Sequence, residues 1–181
     1  MEIERFDERT AAFYEWLVKL RVFDWAYSAA AKAVAKVAKP GGRVLEIGPG
    51  TGALMKRLET AGYHVVGVDV SPPMLKYARR RGAGDPIAGA SFALPLRGAA
   101  FDAAVALFTL HHWGPHGPSA AEVKRALKPG AYFVAIEVDK ARMPLVGSHG
   151  CTKRCLEEVL SDFDVVVERR FPLLVAYAKA R

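Results

Sequence analysis

The residues whose types and spacing could do chemistry fall in three places: the run VLEIGPGTG at 44–52, Asp69, and the pair His111-His112 within TLHHW. In the first, an apolar run carries Glu46 and then breaks into Gly48, Gly50 and Gly52. Glycine permits positive φ and lets a ligand approach the backbone, and the first turn of a following helix offers unpaired N–H groups. With Ala53 the run also satisfies the looser G-x-G-x-x-G/A pattern. The glycines therefore point to an adenosine-containing cofactor without separating a nicotinamide dinucleotide from another adenosine compound. Asp69 ends the next apolar run, where a carboxylate can accept hydrogen bonds from both ribose hydroxyls. Its alternative, capping the next helix, is weakened because Ser71 already offers that cap. Imidazole titrates near ~6.5, so His111 and His112 are candidate general bases, with His116 a more distant third. The same pair could instead cap a helix or shape a cofactor wall.

These residues need elements to hold them. Apolar residues recur at helical spacing across 10–38, with Thr10 a candidate N-cap, and Lys39-Pro40-Gly41-Gly42 ends the pattern. After Gly42 short apolar runs alternate with helical stretches, the rhythm of βαβ units and a parallel sheet. Strands are expected at 43–47, 64–70, 87–92, 101–109 and 132–138, and helices at 53–61, 72–81, 119–127 and 151–160. Serine followed by proline marks the start of the helix at 72. Two more strand-like runs, 163–168 and 173–178, are joined by only four residues. Parallel neighbours need a crossover of a dozen or more residues, so this pair must form an antiparallel hairpin. The expected fold is α/β, a Rossmann-like three-layer sandwich on a mostly parallel seven-stranded sheet with one antiparallel strand from the C-terminal hairpin. Residues 1–181 form one domain, with 1–40 a helical lid over a cofactor-binding core at 41–181.

Composition narrows the class. A chain of 181 residues, 51% apolar, can bury a continuous core as one domain. No apolar run reaches the ~18 residues of a membrane span, and MEIERFDERT lacks the features of a signal peptide, so a cytoplasmic location is expected. Cys151 and Cys155 read as two free thiols one helical turn apart, and no metal ligand set is expected. The chain contains no asparagine and no glutamine, a depletion associated with thermophilic proteins. A net charge of +7 favours an anionic partner and keeps RNA open as an alternative, although the basic residues are dispersed.

The ordered set VLEIGPGTG, VVGVDVSPPMLKYAR, FALPLRGAAFDAAVALFTLHHW and RALKPGAYFVAIEV resembles the class I S-adenosylmethionine-dependent methyltransferases. Within them it is similar to the branch that includes quinone-biosynthesis and small-molecule methyltransferases. The likeness covers about residues 41–138 and extends to the closing hairpin. It implies S-adenosyl-L-methionine as cofactor, with Glu46 organising the glycine loop and the methionine end, and Gly48, Gly50 and Gly52 making room for it. Asp69 would take the ribose hydroxyls, Val70 would lie beside it, Met74 would pack on the adenine, and Phe92 would offer a backbone N–H near that ring. The sulfonium would lie near Phe108 to His111. Where the family usually has an aspartate for the adenine amino group this chain has Ala90, leaving Ser91 or a backbone carbonyl to take its place.

Methyl transfer is an in-line displacement in which a protein mainly aligns the reactants and excludes water. The Asn/Asp-Pro-Pro-aromatic signature of amino-methylating enzymes is missing after the fourth strand, and the 139–150 loop is too short for an inserted recognition domain. A small organic acceptor is therefore expected first and RNA second, with oligomeric state open. The rival classes are an NAD-dependent oxidoreductase and a non-catalytic nucleotide-cofactor-binding module.

Overall fold

The computed structural model describes residues 6–143 and 149–181; residues 1–5 of the expected lid and 144–148 of the loop after the fifth strand lie outside them. The elements run α1 (Glu8–Lys19), α2 (Asp24–Ala35), β1 (Arg43–Ile47), α3 (Ala53–Thr60), β2 (His64–Asp69), α4 (Pro72–Arg81) and β3 (Asp85–Ala88). Then come β4 (Phe101–Leu107), a 3-10 turn at Leu110–His112, α5 (His116–Ala126), β5 (Leu127–Val138), α6 (Lys153–Val159), β6 (Asp164–Arg170) and β7 (Leu173–Lys179). One sheet has the order β3-β2-β1-β4-β5-β7-β6. The first five strands pair in parallel, and β7 runs antiparallel to both β5 and β6. The connection between β6 and β7 is only Phe171-Pro172, shorter than the four residues expected, and β7 is the one reversed strand in an otherwise parallel sheet.

Because side chains alternate across a strand, each face carries its own core. Val44, Val65, Ala103, Val105, Val134 and Ile136 face α2 and α3. Leu45, Ile47, Val68, Ala104, Ala106 and Phe133 face the other way, with α5 and α6. Central strands buried on both sides account for their nearly unbroken apolar sequences.

Several boundaries differ from expectation. The N-terminal pattern is two helices, not one, broken around Arg21 at φ 60°. The cap is Asp7, whose carboxylate accepts the Thr10 N–H at 2.8 Å, rather than Thr10. Phe13, Trp16 and Leu20, expected on the apolar stripe, are more than half exposed. The third strand runs Asp85–Ala88 rather than 87–92, and the chain leaves it at Gly89, where a Cβ would lie within 3 Å of Pro95 and Val68. The fourth strand stops at Leu107, and the fifth begins at Leu127 with a register shift opposite Phe101 and Ala103. Cys151 and Cys155, expected as free thiols, form a disulfide with their Cα atoms 5.7 Å apart. Cys155 is in the first turn of α6 and Cys151 precedes the N-cap Thr152, so that turn brings them together.

Candidate active site

At the carboxyl ends of the parallel strands a cavity of about 340 Å³ opens beneath α1 and α2, where open α/β sheets bind ligands. Its floor is the β1–α3 turn. Gly48 and Gly52 have φ of +69° and +79°. A Cβ at Gly48 would lie 2.5 Å from Thr109 Oγ1, and one at Gly52 2.9 Å from the Ala78 Cβ, so both positions need glycine for room as well as for conformation. The turn is stitched to β2 by the Gly48 N–H donating to the Val68 carbonyl at 2.9 Å.

Asp69, at the end of β2, accepts the Gly50 N–H on one carboxyl oxygen at 3.0 Å and the Ser71 N–H on the other at 2.8 Å. Burial raises its pKa, opposed by backbone N–H groups of Ser71, Gly50 and Val70. Asp69 thus ties the glycine turn to the start of α4 while lining the cavity. Glu46 is buried too, and its Oε2 has no hydrogen-bond partner among the described residues. Burial, reinforced by the Asp69 charge, pushes its pKa up to about 8. A carboxylate held this way lacks a donor or cation. The cavity is where one could come from, and a ligand with an amino group would supply it.

Val70, Met74, Ala90, Ser91 and Phe92 line the same end, giving a slot walled by apolar side chains and backbone. The Ser91 hydroxyl is 2.8 Å from that of buried Ser119, so it is already engaged. Phe108 adopts φ 56°, rare for a bulky residue, and its N–H donates to the Ile136 carbonyl. Such an outlier at the end of a strand marks a place where neighbouring structure dictates the backbone. The Phe108 ring leans on Trp25 of α2 at 6.4 Å, so the expected sulfonium region lies directly under the helical cover.

At the far end, the 3-10 turn carries His111 and His112 into the cavity wall, ring centroids 4.0 Å apart. Glu137, fully buried in β5, accepts the Leu110 N–H on one oxygen and faces His111 Nδ1 with the other, both at 2.8 Å. His149 is exposed but also lines the cavity, within 5.7 Å of both rings. His116 starts α5 and is not among the lining residues. Trp113 closes this end, its indole N–H donating to Thr109 Oγ1 at 3.1 Å while its ring stacks on Phe133.

Every residue expected to hold the cofactor except Gly52 lines this cavity; Gly52 supplies the N-cap of α3 instead. Glu137, Trp113 and the cover residues Phe6 and Val18 were missed. For Glu137 a signal was present, a charge within the apolar run YFVAIEV that could be buried only with partners. His149 gave none, being 37 residues from His112.

Comparison with known proteins agrees with this geometry. The family described as "Methyltransferase domain" matches residues 45–135. A demethylmenaquinone methyltransferase of Clavibacter sepedonicus is 35% identical over 148 residues, 78% of this chain and 59% of that protein. One of Roseiflexus castenholzii is 30% identical over 152 residues, 80% and 63% of the two chains. The chain spans about half the length of the curated relatives it matches. Among solved structures, a SAM-dependent methyltransferase from Aquifex aeolicus superposes with a TM-score of 0.76 at 22% identity, covering 97% of this chain and 100% of that one. One from Thermotoga maritima gives 0.76 at 23%, covering 96% and 97%. At such identities the solved structures speak for the fold, whereas the family match covers half of the chain and spans the glycine turn, Asp69 and the histidine pair. This chain belongs to the methyltransferase domain family, the class I S-adenosylmethionine-dependent methyltransferases.

Proposed function

We propose that this protein transfers a methyl group from S-adenosylmethionine to a small organic acceptor seated beside His111, with the described part of residues 1–40 acting as the lid. The observation that carries this reading is one continuous cavity with two chemically different ends. The glycine turn, Glu46, Asp69, Val70, Met74, Ser91 and Phe92 would hold the cofactor at one end, and the histidines and aromatic residues would take the acceptor at the other. When bound, the cofactor supplies a methyl group already activated by a sulfonium. The unpaired Glu46 oxygen suits its amino group, and Asp69 suits its ribose. Because the Ser91 hydroxyl is engaged with Ser119, backbone groups of residues 90–92 are the better candidates for reading the adenine.

Of the two histidines, His111 is the better base. A carboxylate can only accept, so Glu137 makes Nδ1 the N–H donor and leaves the lone pair on Nε2. That nitrogen is buried with no partner among the described residues, as a group waiting for an acceptor's proton would be. His112, beside it, shapes the pocket wall and packs edge-on to Phe6 at 5.5 Å. Phe6, Tyr14, Val18, Phe23, Trp25 and Tyr27 cover the cavity, and their apolar faces would exclude water from the reaction.

The name shared by the relatives makes demethylmenaquinone the first acceptor to test. Radiolabelled methyl from S-adenosylmethionine is expected in an organic-extractable product with demethylmenaquinone or a related aromatic hydroxy compound. Label appearing only in added RNA would replace this reading with the RNA one. The absence of asparagine and glutamine further supports a thermophilic source, for which transfer should persist well above 60 °C, roughly the upper range of mesophile melting.

A further inference from the structure

Within the described residues His111, His112 and His149 form a group whose ligand atoms all lie within 4.8 Å of one another. We propose that these three side chains are a binding site for one divalent transition-metal ion of the zinc type. The site is built from elements far apart in sequence: the 3-10 turn after β4 supplies two imidazoles, and the segment before α6 the third. Three features make it more than a chance meeting of histidines.

The first is orientation. Histidines that bind metals donate their other ring N–H to a carboxylate or carbonyl, which fixes the tautomer and turns the lone pair toward the ion. Glu137 does this for His111 at 2.8 Å, and Glu137 is itself fixed by the Leu110 N–H. The second is the Nε2 of His111, buried and without a partner among the described residues, which an ion would satisfy. The third is spacing. A tetrahedral ion about 2.0–2.1 Å from each nitrogen sets the nitrogens about 3.4 Å apart. The three ligand atoms, within 4.8 Å of one another, would draw together by about 1.4 Å at most on binding, with His149, exposed and 5.5 Å and 5.7 Å ring to ring from the other two, the outermost of the three.

Three neutral imidazoles suit zinc, cobalt, nickel or iron and are poor ligands for magnesium or calcium. The nearby Glu137 carboxylate offsets part of the ion's charge without ligating it. Three protein ligands leave a coordination position open, as catalytic zinc sites do, and all three residues line the cavity. What the ion does there rests on the methyl-transfer reading. An acceptor hydroxyl would bind the ion through oxygen and release its proton to solvent at the exposed His149 edge of the cavity, so in the loaded site His111 Nε2 would be a ligand and no longer the base of the ion-free protein.

Untagged, chelator-treated protein titrated with Co²⁺ tests the site without any acceptor. The expected result is a visible ligand-field band that saturates at one ion per chain and is displaced by Zn²⁺. His149→Ala, at an exposed position that leaves the fold intact, should abolish the band. Glu137→Gln should weaken binding by about 10–100-fold, the range for carboxylates behind a ligand. His64→Ala, remote from the cavity, should change nothing. No band in the parent protein, or an undiminished band in His149→Ala, would overturn the proposal. S-adenosylhomocysteine binding measured on the same samples separates the two readings: its retention without cobalt binding removes only the ion site, and its loss with cobalt binding intact removes only the methyl-transfer reading.

Discussion

Glu46 carries the strongest electrostatic consequence at the scale of single residues. With its pKa moved from 4.5 to about 8, the folded chain holds a proton there that the unfolded chain has released. Between those limits the folded state binds more protons, so stability falls as pH rises. The contribution is full below about 4.5 and gone above about 8. Melting of the ligand-free protein across this window should show a decline that Glu46→Gln flattens, on the order of 3 kcal/mol by pH 7. A cofactor amino group placed at Glu46 favours the carboxylate, so binding S-adenosylhomocysteine at pH 7 should release a proton. Calorimetry in buffers of differing ionisation heat would register it, and the variant should release none. Gly48→Ala meets a separate obstacle, Thr109 Oγ1 at 2.5 Å and a positive φ, and should cost about 1–3 kcal/mol in chemical denaturation.

At the scale of elements, the helical cover is fastened to the core at a few polar points. Arg81, the last residue of α4, pairs with Glu15 on α1 and donates to the Thr51 carbonyl of the glycine turn at 2.9 Å. Ser71, which caps α4, also donates its hydroxyl to the Phe6 carbonyl at 2.7 Å. On α2, Arg57 reaches Ser28 at 2.8 Å from α3. Among the described residues α1 fully buries only Ala11, so its hold depends on these contacts more than on apolar area. Arg81→Ala should therefore accelerate amide exchange in α1 by about tenfold or more while leaving β4 and β5 unchanged. Unaltered exchange in α1 would show that Arg81 does not anchor the cover.

Across the whole molecule, the core was legible where periodicity and punctuation agree. Arg43–Ile47 was readable to the residue, bounded by Gly41-Gly42 and the glycine turn, and Pro72–Arg81 was readable at its start from Ser71-Pro72 and closely at its end. The reversed strand followed from a connection too short for any parallel crossover. The break between α1 and α2 was not legible, because KLRVFDW contains neither glycine nor proline and an arginine takes the positive φ. The outward turn of Phe13 and Trp16 was hidden for a related reason: helical spacing shows that a stripe exists but not which way it faces. The cofactor end of the site is nearly continuous in sequence and could be read, whereas the other end is assembled from β4, β5 and the segment before α6. Glu137 and His149 meet His111 only through the sheet and the return of the chain.

Under the proposed function this cavity would hold an S-adenosyl compound through Glu46 and Asp69. Isothermal titration calorimetry of the purified protein with S-adenosylhomocysteine and with NADH, repeated on Asp69→Ala, tests it most directly. Saturable binding of S-adenosylhomocysteine at one site per chain, weakened at least about tenfold by Asp69→Ala and unmatched by NADH, is the expected result. Binding of NADH in preference to S-adenosylhomocysteine, or equal S-adenosylhomocysteine affinity in the variant, would contradict it.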